Sequence, residues 1–164
     1  AEYDGAPKWV IQSCNAYWGE KASGKICGVG SAGSTRNIGM ARSAAMGRGR
    51  TEIARTLDVK VKSMLKDYQS TTTGGEEYGT AANDEQHVVD VSKQITDMSL
   101  SGTEMVDSWL NTKTGTLYVL MVLDVEKFKS AVSDMKQLSE KTRQAVVERA
   151  EKAFDELDKA TEKK

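Results

Sequence analysis

The chain has little from which to build a metal or nucleophilic centre. Its 164 residues hold one histidine, His87, and two cysteines, Cys14 and Cys27. A structural zinc site needs about four ligands at recognisable spacings, and the cysteine spacing matches none, so no metal or other cofactor is expected. The two cysteines read either as buried apolar residues or as one disulfide, with the compartment deciding. His87, among Gln86, Val88 and Asp90, reads as a helix-side residue, and no G-x-S-x-G elbow accompanies it. The net charge of −1 lacks the strong basic excess of a global nucleic-acid binder. No apolar run approaches the roughly 18 residues that span a bilayer. The polar start Ala1-Glu2-Tyr3-Asp4 does not read as a signal peptide. One proline and 14 glycines fit a helix-rich chain with a few tight backbone sites. The length is about one domain's worth, 1–164, and suffices to bury a core without staples.

What is present changes period along the chain. Residues 1–24 read as an irregular arm, biased toward extended backbone by Pro7. Its aromatics Trp9, Tyr17 and Trp18 predict that it docks on the rest of the domain. Lys25-Ile26-Cys27-Gly28-Val29-Gly30 reads as a short strand, followed by a small-residue turn over 31–34, with Ser34 or Thr35 as a helix cap. From Thr35 to Gln69 one helical stripe steps by four through Ala41, Ala45, Gly49, Ile53, Leu57, Val61 and Leu65. Gly39, Gly47 and Gly49 each cost about 1 kcal/mol inside a helix, which predicts close packing onto a neighbour. Residues 70–83 read as a loop. A helix capped by Asn83 follows from Asp84 to Ser99, with Val88, Val91, Ile95 and Met98 on one face. Thr103 to Leu110 and Thr116 to Leu123 read as a hairpin turning at Asn111 and Gly115. The second of these strands is apolar on both faces, as a central strand should be. The first alternates, as an edge strand should. Helices close the chain, one over 125–137 with Phe128, Val132 and Met135, the next capped by Ser139 and lined by Val146, Ala150, Phe154 and Leu157. The fold class is therefore α+β, a small antiparallel sheet packed against one long helix and C-terminal helices.

Gly28-Val29-Gly30-Ser31-Ala32-Gly33 is a literal G-x-G-x-x-G between a strand and a helix. The helix after it is too long for the first crossover of a dinucleotide fold, and the later strands form a hairpin rather than parallel units. The glycines are expected to serve packing.

Charge is the most informative local feature. Residues 36–66 carry eight positive and two negative side chains, and residues 76–107 carry eight negative and one positive. The candidate interaction surface comprises Arg36, Arg42, Arg48, Arg50 and Arg55 in the first stretch. Glu76, Glu77, Asp84, Glu85 and Asp90 supply it from the second. Opposed stretches of this kind meet within one fold, face solvent, or pair between molecules.

Four stretches in order resemble a bacterial envelope family, the roughly twenty-kilodalton membrane-associated lipoproteins (the Lpp-twenty family). Gly5-Ala6-Pro7-Lys8-Trp9-Val10 is similar to that family's motif just after its lipidated tail. The glycine strand Gly28 to Ala32, the helix from Ala41-Arg42-Ser43-Ala44-Ala45 to Glu52-Ile53-Ala54-Arg55, and Leu117 to Asp124 follow. The resemblance implies an α+β domain tethered by lipid to a bacterial membrane, usually the outer one, and it brings no catalytic residues. The family includes a flagellar outer-membrane lipoprotein that builds a disk around the motor. No lipobox or acceptor cysteine is present, since Cys14 follows the Pro-Lys-Trp motif. Either the lipid-bearing end has been removed or this member is secreted without an anchor. In such an oxidising compartment a Cys14–Cys27 bridge is expected. The expected function is non-enzymatic: interaction or scaffolding in the periplasm or at the outer membrane, with homo-oligomers. Its partners would be other envelope proteins or itself, and the membrane through an anchor this sequence does not contain, with no nucleic acid. A periplasmic small-ligand binding protein is the alternative.

Overall fold

A computed structural model of the chain describes residues 2–33, 36–71 and 81–162, the side chains of 81–84 and 156–162 excepted. Two short helices, α1 (Trp9–Gln12) and α2 (Cys14–Trp18), and a 3-10 turn at Gly19–Ala22 lead into strand β1 (Lys25–Ala32). The long helix α3 (Ile38–Thr71) and α4 (Ala81–Ser99) follow. Strands β2 (Glu104–Leu110) and β3 (Leu117–Asp124) form a hairpin, and α5 (Val125–Ser133) and α6 (Glu140–Glu162) close the chain. The strand order is β1-β3-β2, antiparallel throughout. This is the α+β fold expected, with the apolar strand β3 at the centre and buried from Leu117 to Leu123. The alternating strand β2 lies at an edge.

The sheet separates two layers because its residues alternate. On the inner face Ile26, Val119, Met121 and Leu123 pack with Ala41, Ala45, Ile53 and Leu57 of α3 in the main core. The early stripe of α3 is small because backbone meets backbone there. A Cβ added at Gly30 would stand 1.8 Å from the Ala45 carbonyl oxygen, and one at Gly49 would stand 2.6 Å from Met121 Cγ. Only Gly49 of the three helix glycines has this role, since Gly47 has open space around it and Gly39 meets only the Asn37 side chain. On the outer face Tyr118 and Leu120 form a second cluster with Trp9 and Val10 of α1.

The helix α4 runs back along α3. Ser92 Oγ donates to the Asp58 carboxylate (2.6 Å), and Arg50 Nε donates to Thr103 Oγ1 (3.2 Å) just beyond α4. Helix α6 reaches the same core through Phe154, whose ring lies 5.3 Å from that of Phe128. Arg149 Nε ties α6 to Asp67 of α3 (2.7 Å).

Several boundaries differ from the sequence expectation for physical reasons. The arm is helical rather than irregular. Pro7, with φ preset and no N–H to satisfy, opens its first turn, and its carbonyl accepts from Val10 N (3.1 Å). Ser31 and Ala32 belong to β1 rather than to a turn, paired with Tyr118 and Leu117. Asn37 caps α3, its Oδ1 accepting from Gly39 N (3.0 Å) and Met40 N (3.2 Å), and Ser34 and Thr35 lie outside the described residues. The loop expected over 70–83 is shorter: α3 continues to Thr71 and α4 begins at Ala81, which places Asn83 inside α4 rather than at its cap. The stripe of α4 runs Val88, Val91, Ser92, Ile95 and Ser99, so Met98 is left 47% exposed. Helix α5 stops at Ser133. Ser139 does cap α6, accepting from Thr142 N (3.1 Å), and Leu157 lies outside the described side chains. The hairpin turns where expected: Asn111 Oδ1 accepts from Lys113 N (2.9 Å), and Gly115 takes φ 76°.

Candidate functional site

The outer face of the sheet carries the cysteine pair. Cys27 points outward from β1, Cys14 sits on α2 above it, and the two sulfurs are bonded across a Cα separation of 5.6 Å. The arm has polar anchors as well. Trp9 Nε1 donates to Asp107 Oδ2 (3.0 Å), Asn111 Nδ2 donates to the Glu2 carbonyl (2.8 Å), and Tyr118 Oη donates to Glu2 Oε1 (2.8 Å). Burial pushes the Tyr118 phenol up to about 12, helped by its hydrogen bond to the Glu2 carboxylate.

The glycine motif does not form a loop. Gly28 and Gly30 lie within β1 and face α3, where a Cβ at Gly28 would stand 2.1 Å from the Gly49 carbonyl oxygen. The long helix fills the space a pyrophosphate would need against those two glycines. Gly33 differs from both, since among the described residues nothing would stand within 4 Å of a Cβ added there. His87 is exposed on α4. Among the described residues no group of three or more histidine, cysteine, aspartate or glutamate side chains is placed to hold a metal ion.

The basic stretch divides into exposed and engaged residues. Arg36 and Arg42 are exposed, at and near the start of α3. Arg48 is exposed but donates to the Ser31 carbonyl, and Arg50 is half-buried against Thr103. Arg55 pairs with Glu52 one turn back (2.9 Å). Lys60 is 3% exposed, and its Nζ donates to the carbonyls of Ala153 (3.0 Å) and Phe154 (3.1 Å). Counting charges from the sequence places Lys60 on a basic surface, whereas the structure uses it to tie α3 to α6. The one available signal was its place beside Leu57, Val61 and Met64 on the apolar stripe. Lys62 pairs with Asp58 (2.8 Å). Burial works against the Asp58 carboxylate, but hydrogen bonds from Lys62 and Ser92 outweigh it and hold the carboxyl below its ordinary value.

The acidic residues sit elsewhere. Glu85 and Asp90 are exposed on α4, Asp84 lies on α4 with its side chain outside those described, and Glu76 and Glu77 lie outside the described residues. With Ser92 against Asp58, Asp90 stands level with Lys60 and Glu85 with Leu65. At about 1.5 Å per helical residue, Arg42 is then about 27 Å from Asp90 along the pair. The helix pair is bipolar in its exposed arginines and its α4 carboxylates, with exposed Lys66 of α3 standing among the carboxylates, level with Asp84.

A family model described as LPP20 lipoprotein matches residues 7–124, from Pro7 to the last residue of β3. Among curated proteins no sequence matches the chain. Among the described residues no helix is long and apolar enough to cross a membrane.

Proposed function

The chain belongs to the LPP20 lipoprotein family, and from that premise we propose that it is a non-enzymatic envelope protein, periplasmic or at the outer membrane, that works by contact with other proteins, copies of itself first. The bipolar α3–α4 pair carries this reading. Arg36 and Arg42 are too far along α3 to neutralise Glu85 and Asp90 of the same molecule; Asp90 accepts from the neutral Gln86 amide (2.9 Å) and Lys66 offsets only part of the acidic end, so both ends keep charge for a second molecule. Two copies laid antiparallel would set each basic end beside an acidic end and satisfy both contacts about one two-fold axis. The near-neutral total charge of −1 adds little long-range repulsion between copies. Display on one membrane surface would raise the local concentration, so weak contacts would be populated.

Sedimentation velocity across a concentration series tests this, run at about 0.02 M and about 0.5 M salt, where the screening length falls from tens of ångströms to a few. The expected result is a concentration-dependent dimer or larger species that dissociates at the higher salt. A monomer at every concentration and ionic strength contradicts the proposal.

A further inference from the structure

A groove of about 410 Å³ runs between α3 and α4, within the range of about 300–1,000 Å³ usual for small-molecule sites. We propose that it binds a small amphiphilic molecule with a singly charged carboxylate head and an aliphatic body. The inference rests on the groove alone and stands or falls apart from the assembly reading.

The lining divides by chemistry. Ala54 and Val89 supply apolar surface, and Val89 is 45% exposed although it sits among polar neighbours on α4. Thr96 also lines the groove. It is 4% exposed, and its Oγ1 has no hydrogen-bond partner among the described residues. A threonine inside a helix ordinarily returns its hydroxyl to its own backbone, and an orphaned buried hydroxyl is unfavourable. The antiparallel register brings Thr96 level with Ala54 and Arg55, with Lys93 one turn away. Arg55 offers a planar pair of donors suited to a carboxylate. Its hold on Glu52 is an exposed pair within one helix, which a better-placed anion can displace. Lys93 is exposed, with no salt bridge among the described residues.

The two carboxylates of the lining set the charge of the head. Asp58 is already engaged by Lys62 and Ser92, so neither it nor Lys62 is available. Asp97 is exposed one turn from Lys93 on the rim. Its charge offsets part of the field of Arg55 and Lys93 and penalises a second negative charge on the ligand. That favours a monocarboxylate over a phosphate. The apolar lining favours a ligand with a hydrocarbon part over a bare anion.

The test is an amide-resolved NMR titration of the full chain with sodium octanoate, with octan-1-ol and inorganic phosphate as comparators. Octanoate is expected to shift amides over 51–62 and 89–97, and both comparators to bind at least about tenfold more weakly. Lys93→Gln and Arg55→Gln should each weaken octanoate by about tenfold, and Lys93→Arg should retain it. Shifts centred on other exposed apolar residues such as Ile11 and Tyr17 would overturn the proposal. So would phosphate or octanol binding as well as octanoate, or Lys93→Gln binding like the native chain.

Discussion

The two faces of the sheet are sealed by different means. Inside, α3 presses its backbone onto β1 at Gly28, Gly30 and Gly49, a contact made by the absence of side chains. Outside, a short arm is held by a small apolar cluster of Trp9 and Val10 with Tyr118 and Leu120, one covalent bond, one indole hydrogen bond and the contacts of Glu2. The inner seal is continuous with the main core and has no part that can be removed singly. The outer seal is a set of separable fasteners on a short segment. The inner face should therefore unfold with the whole molecule, and the outer face should loosen in steps.

Gly30→Ala should break the inner seal with the largest effect. Its Cβ would meet the Ala45 carbonyl, which cannot turn aside, and the loss should exceed about 3 kcal/mol in urea unfolding or prevent folding outright. Gly33→Ala is the contrast, since among the described residues nothing would stand within 4 Å of its Cβ; its change should stay within about 0.5 kcal/mol. Similar losses at the two positions would refute the backbone-contact account.

The outer seal should give way next. Replacing Cys14 and Cys27 together by serine opens a loop of 13 positions and should lose about 3 kcal/mol in the chain-entropy model. Hydrogen exchange sharpens the comparison: amides of residues 9–18 should lose protection while those of α3 keep theirs relative to global unfolding. Equal loosening of both would make the sheet one unit. Trp9→Phe removes the bond to Asp107 and some ring volume, for a smaller loss of about 1–2 kcal/mol by the same unfolding assay.

The narrowest effect is confined to alkaline pH. The folded Tyr118 phenol titrates at about 12 against an ordinary 10.0. A raised pKa means that the folded state holds the proton more tightly. Its contribution is whole below pH 10 and is lost as pH rises from 10 toward 12. Stability should fall across that window, and Tyr118→Phe should flatten the fall. An unchanged profile in the variant would assign the fall to other groups.

Which of these features the sequence announces follows from their physics. Periodic burial is local, so β3, the α3 stripe and the edge character of β2 are legible from residue order. Close approach is not local. Three glycines in α3 look alike in sequence, and only β1 and Met121 across from Gly49 distinguish it. The arm's helical turns are short enough that Pro7 and three aromatics carry no period to read. Lys60 shows the same limit for charge, because a lysine on an apolar stripe counts as surface until the carbonyls of α6 are known to receive it. The candidate surface was legible in sign and order. Its bipolar layout required the register of α3 on α4, which Ser92 and Asp58 fix.

That layout makes a comparison of its own, between an arginine end and a carboxylate end, and it can be broken at either. Arg36→Glu with Arg42→Glu reverses the first, and Glu85→Lys with Asp90→Lys reverses the second. Sedimentation at low salt of each variant alone, and of the two mixed in equal amounts, tests the central claim most directly. The account predicts that each variant alone is monomeric and that the mixture regains the associated species. Association of either variant alone at the native level, or a mixture that stays monomeric, would contradict it.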